Sequence, residues 1–354
     1  MAAPDERLRR YLERVAAGPR LGKHLSAAEA YDAIDAILSD DADPVRAGAL
    51  LIALRVQGET LDELRGALAA VRARARWAAA RVAALVDLAD PYDGFLRHLP
   101  ASPFLPAVLA ACGLPAVCHG PRSLPPKRGA TIRQVLEAAG AVVDASPGDA
   151  AARIADPDIG WAFVDLDRSH PELAALAPVR DAIVKRPLLA VVDKLHGPVR
   201  ADRTIAVAGF VHRDYGERLV QLAADAGYAA AIAVRGVEGG VIPPLNAGTV
   251  GVGWRAPGDP PAPVAVAATD VGITGADRAP PLPAGCEGAA AIAREAARAG
   301  RAALAGALGP TRDALVYAAA SILWFAGRAA SPADAAARAR AVLDDGSAAR
   351  RFAA

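Results

Sequence analysis

The spacing of apolar residues changes near residue 86, and that change constrains the fold more than any other feature. Before it, apolar positions recur with helical period behind clear start signals: Ser26 with Glu29, Asp43-Pro44, and Thr60 with Glu63. Each supplies acceptors for amides that a helix start leaves unpaired. Beyond it, the short apolar runs Ala84–Leu88, Pro115–Cys118, Trp161–Val164, Ile205–Ala208 and Ala229–Val234 alternate with helical segments. This predicts an N-terminal helical domain followed by a larger α/β domain with a mainly parallel central sheet. Ser102-Pro103 starts one intervening helix, Gly113 ends it, and the next strand runs into His119-Gly120. The proline-rich stretch 241–285 predicts loops around a few strands, after which two or three helices return, the last opened by Ser331-Pro332.

Composition narrows the partners. Forty Lys and Arg against 39 Asp and Glu leave a formal charge of +1, so the field that would gather nucleic acid or an anionic membrane is missing and any basic site must be local. Cys112, Cys118 and Cys286 are odd in number and lack zinc-site spacing, which fits a reduced compartment. The N-terminus has no apolar signal core, and no run approaches the roughly 20 apolar residues of a spanning helix. The expectation is a cytoplasmic protein without a membrane partner. Arg72, Arg74, Arg76 and Arg81 around Trp77 predict a solvated helix, Trp161 and Trp324 core positions, and His98, His196 and His212 no metal spacing.

Residues 25–72, LSAAEAYDAIDAILSDDADPVRAGALLIALRVQGETLDELRGALAAVR, resemble the N-terminal helical domain of anthranilate phosphoribosyltransferase and its pyrimidine nucleoside phosphorylase relatives. Residues 309–346 are similar to that enzyme's C-terminal helices. CHGPRSLPPKRGATIRQVLEAAG at 118–140 resembles its His-Gly-Asn-Arg-Ser loop, and APVRDAI at 177–183 a later helix. The resemblance implies a helical domain of residues 1–80 with a contribution from about 171–195, an α/β domain of 81–354, and a homodimer through the N-terminal helices. Leu8, Leu12 and Val15 form an apolar stripe suited to that contact.

Three donor-binding elements of the family are changed. Its Gly-Thr-Gly-Gly-Asp turn, which lets amides approach the donor's pyrophosphate, reads Asp90-Pro91-Tyr92-Asp93-Gly94 here. Its Asn-x-Ser-Thr run reads Pro100-Ala101-Ser102-Pro103, and the Asp-Glu pair that holds magnesium reads Val241-Ile242. Magnesium stays possible although its usual carboxylate pair is absent, and no other cofactor is expected. What remains is His119, Gly120, Arg122, Ser123 and Lys127 on the loop between the substrates, Gly94 and Ser102 on the donor side, and Arg180, which matches the arginine that engages anthranilate's carboxylate. Arg122, Lys127, Arg128 and Arg133 form a cationic cluster suited to an anionic small molecule. Structural alternatives stay open: Ser102 as an N-cap, the basic loop without a ligand, and Arg180 paired with Asp181 or Glu172. No catalytic residue is assigned. The resemblance implies a divergent glycosyl or phosphoribosyl transferase family protein outside standard tryptophan synthesis; the alternative is a non-catalytic paralogue that binds nucleic acid or another ligand.

Overall fold

A computed structural model describes residues 3–354 apart from Pro19 and Ala276. Four helices open the chain: α1 (Pro4–Val15), α2 (Ala27–Ile37), α3 (Pro44–Gln57) and α4 (Leu61–Arg74). Ser26 and Thr60 form reciprocal capping boxes with Glu29 and Glu63, and the Asp43 side chain accepts from the Arg46 amide. Helices α2 and α4 approach so closely that a Cβ on Gly66 would collide with the Ala27 carbonyl oxygen. The helix expected through the arginines stops at Arg74. Trp77 lies beyond it, half exposed, with the Arg200 guanidinium 4.3 Å from its ring centroid, which corrects the solvated-helix expectation.

The sheet consists of β1 (Leu85–Ala89), β2 (Ala116–Gly120), β3 (Trp161–Asp165), β4 (Thr204–Gly209), β5 (Ala230–Val234), β6 (Gly251–Trp254) and β7 (Ala262–Val264). Its order is β3-β2-β1-β4-β5-β6-β7, parallel through β5 and antiparallel for the last two. Every residue of β1 to β5 is buried, which is why these strands read as largely apolar runs, broken inside β1 by Asp87.

The two faces differ in size. Ile205 and Val207 of β4, with Ile232 and Val234 of β5, join the core formed with helices Leu105–Ala111 and Pro310–Phe325. On the opposite face, Ala206, Ala208, Ala231 and Ala233 leave room for helix Tyr215–Asp225 and the N-terminal helices. Leu173, Leu176, Leu188, Leu189 and Val192 pack into that second core with Leu51, Leu54 and Leu64. Leu8 and Val15 are buried in the same core, within their own chain. The apolar stripe assigned to a dimer contact is thus covered by α2 and α3. Among the described residues after β7 there are four α-helices rather than two or three, the last being Ser347–Ala353 and not the one that Ser331-Pro332 opens.

Candidate functional site

Successive parallel strands run outward from β1 to β3 on one side, then restart at β4 and run outward on the other. In such a sheet the loops leaving the carboxyl ends of β1 and β4 diverge and leave a crevice between them. Here it is a cleft of about 370 Å³. Pro91, Tyr92 and Asp93 enter it from the end of β1, Phe210 and Val211 from the end of β4. The far wall comes from Arg55 and Glu59 at the end of α3 and from the chain between Arg180 and Lys194.

The turn after β1 is held by its own side chains. The Asp90 carboxylate accepts from the Ser102 hydroxyl and, at 2.8 Å, from the Val241 amide; burial raises its pKa. Asp93 takes the Arg186 guanidinium at 2.6 Å. Gly94, at φ +77°, lies against Gly129, where a Cβ would meet the carbonyl at 2.5 Å; the amide and carbonyl of Phe95 pair with those of Ala130. Gly94 therefore serves a backbone crossing, and Ser102 serves Asp90 from the first turn of its helix instead of capping it.

Tyr92 fills the space behind this turn. Its hydroxyl oxygen lies 2.6 Å from His119 Nδ1, donates to the Asp193 carbonyl at 3.1 Å, and lies 3.2 Å from His196 Nδ1. His119 Nε2 is 2.9 Å from Asp87 Oδ1, and the Tyr228 hydroxyl donates to Asp87 Oδ2 at 2.6 Å. His119 is fully buried in this polar chain, and Gly120 lies against the Tyr92 ring. Neither opens onto the cleft, contrary to their expected place on a substrate loop.

The expected cationic cluster is divided among carboxylates. Arg122 lies 3.4 Å from Glu137, Arg128 3.0 Å from Asp181, Arg133 2.6 Å from Asp165 and Lys127 3.0 Å from Glu238, while Ser123 is exposed. Glu238 also accepts from the amides of Leu96 and Arg97 at 3.1 and 2.8 Å. Burial opposes its charge, yet Lys127 and these amides hold its pKa below the usual carboxyl range.

Arg180 is buried and pairs with Asp193 at 3.1 Å, not with Asp181 or Glu172. Its Nε and Nη2, and Asp193 Oδ1, are buried without a hydrogen-bond partner among the described residues, and both residues contribute to the lining of the cleft. Two guanidinium donors left free on one edge suit a carboxylate. Beside them the Lys194 ammonium donates to the Gly209 carbonyl at 2.7 Å, and burial lowers its pKa. Asp193, Lys194 and Arg186 escaped the sequence reading. Their signal was a charged pair, Asp193-Lys194, inside the apolar run Leu188–Leu195.

Magnesium does not fit the place the family would give it. Val241 and Ile242 are buried in the apolar core, and no group of three His, Cys, Asp or Glu among the described residues is placed to hold a metal. No helix among these residues is long and apolar enough to cross a membrane.

A helical bundle beside a mainly parallel sheet, with a cleft between them, defines a class of transferase fold, and the matches to known proteins agree. Residues 9–75 match the helical bundle domain of a glycosyl transferase family and residues 101–349 its α/β domain. The chain belongs to that family, on the anthranilate phosphoribosyltransferase branch. It is 31% identical over 338 residues to that enzyme from Rhodopseudomonas palustris strain BisA53, covering 94% of this chain and 93% of the other. A shorter match, 33% over 218 residues, covers 62% of this chain and 62% of the enzyme from strain HaA2. Among solved structures, the Thermus thermophilus enzyme superposes with a TM-score of 0.74 at 24% identity, covering 97% of each chain. The Saccharomyces cerevisiae enzyme in complex with PRPP and Mg superposes at 0.75 and 16%, covering 98% of this chain and 96% of that one.

Proposed function

We propose that this member of the family binds a small carboxylate-bearing ligand in the cleft, with Arg180 as its anchor, and does not transfer a phosphoribosyl group from a pyrophosphate donor at a useful rate. One observation carries the reading: the side of the cleft that the family gives to the donor is filled by the chain's own groups. Tyr92 packs behind the turn, Asp90 accepts from the Ser102 hydroxyl and the Val241 amide, Glu238 accepts from Lys127 and the Leu96 and Arg97 amides, and Val241-Ile242 stand where the family has its magnesium carboxylates. A leaving pyrophosphate would meet no magnesium carboxylate pair there, and would lose that electrostatic term for its departure.

Thermal shift tests the binding half. Anthranilate and related aromatic acids should raise the wild-type melting temperature, with the logarithm of ligand concentration once it exceeds Kd, and Arg180→Lys, which keeps the charge but loses the fork, should abolish most of the rise. No shift with any of these acids at millimolar concentration, or an equal shift in both proteins, contradicts it.

Arg55, Lys185, Arg186 and His212, exposed at the cleft mouth, favour a second reading in which the ligand is nucleic acid. An oligonucleotide arm of the same screen tests it. We also infer a homodimer, supported by an apolar stripe on α3 in which Val45, Ala49 and Val56 are exposed and Ile52 is half-buried. A single helical unit formed by residues 1–80 with 171–195 is supported by their shared core.

A further inference from the structure

We propose that Lys194 is a nucleophilic amine that forms an imine with a small carbonyl compound bearing a carboxylate, a 2-oxo acid, held in the cleft. The chain carries four lysines, at 23, 127, 185 and 194, among its 40 Lys and Arg. Lys23 is exposed and outside the cleft lining, Lys127 gives its ammonium to Glu238 at 3.0 Å, and Lys185 is exposed at the cleft mouth. Lys194 differs from all three. It is half-buried in the cleft wall, follows Asp193 directly and so stands beside the Arg180 pair, and Ala190, Val191, Phe210 and Leu219 contribute apolar surface to the same wall. Its side chain makes no ion pair among the described residues, and its hydrogen bond runs to the Gly209 carbonyl at 2.7 Å, at the carboxyl end of β4. A carbonyl oxygen accepts from a neutral amine as it does from an ammonium, so this contact holds the nitrogen in place in either state. Burial favours the uncharged form and lowers the pKa, helped by Arg186 and opposed by Asp193, Asp93 and Asp90. An arginine in this place would stay charged and could not react.

The step balances without a cofactor. The lone pair of the neutral Lys194 amine attacks the carbonyl carbon and the C–O π bond breaks. The resulting carbinolamine loses its oxygen as one water, which takes the two protons the amine carried, and a C=N bond remains. The carboxylate on the neighbouring carbon is the group that Arg180 anchors, so the inference rests on the function proposed above and adds the reactive class of the ligand. The wild-type full chain is incubated at pH 7 with pyruvate, and separately with propionaldehyde, in the presence of cyanoborohydride, which reduces an imine to a stable secondary amine. Mass mapping of peptides then reads which lysine is marked. Pyruvate should mark Lys194 about tenfold faster than Lys185 or Lys23, and the other two exposed to the same reagent serve as the reference within one sample. Pyruvate labelling of Lys194 no faster than that of Lys185 overturns the proposal. Propionaldehyde, which has no carboxylate, then separates the causes: if it still singles out Lys194, the carboxylate anchor and with it the proposed function have failed, and if it does not, the lysine has.

Discussion

Glu238 and Arg180 are the two side chains whose surroundings differ most from what their sequence neighbours suggest. Glu238 has a folded pKa below the unfolded value of about 4.3, so its contribution to stability is present above that pH and is lost as pH falls through the folded pKa. Glu238→Gln should therefore melt below wild type at pH 7, with the gap closing on acidification towards pH 4 and under. A gap that stays constant with pH would show that the charge is not the cause. Arg180 is the counter-charge of a fully buried Asp193. Removing one partner of such a pair costs about 3–5 kcal/mol, whereas replacing both with apolar groups recovers much of that. Arg180→Met should show the loss in urea denaturation, and Arg180→Met with Asp193→Leu should regain at least half of it. Neither environment was legible beforehand, because Glu238 and Asp193 meet their partners only after the chain returns from 111 and 13 residues away.

The starts of α2, α3 and α4 were legible, since a cap and the first turn it serves lie within three residues of each other, whereas α1 has no side-chain cap. What covered their faces was not. An apolar stripe says that a helix face is hidden, not what hides it, and Leu8 and Val15 proved to be hidden by their own chain. Leu8→Ala should accordingly cost about 2–5 kcal/mol in the monomer by leaving a cavity. Val56, 81% exposed on α3, should behave in the opposite way. Val56→Asp should leave the monomer's stability within about 0.5 kcal/mol of wild type while reducing the mass seen by light scattering from dimer to monomer. A wild-type chain that is monomeric at micromolar concentration removes the basis for the dimer.

Across the whole molecule, strand periodicity marked all five parallel strands to within a residue or two, because burial on both faces leaves a largely apolar run. The position of the cleft follows from the strand order, with β1 and β4 adjacent at its base. Its contents were only half legible: the altered turn at Asp90–Gly94 stood out in sequence, while the folding of residues 184–194 across the opening did not. The proposed function makes this a family member with a carboxylate anchor at Arg180, itself paired with Asp193, and a donor side closed by Tyr92, Asp90 and Glu238. The most direct test is consumption of anthranilate by the purified protein in the presence of magnesium and phosphoribosyl pyrophosphate, followed by fluorescence. The predicted result is a rate indistinguishable from the protein-free control even where anthranilate binds; steady consumption that scales with protein concentration would contradict the account.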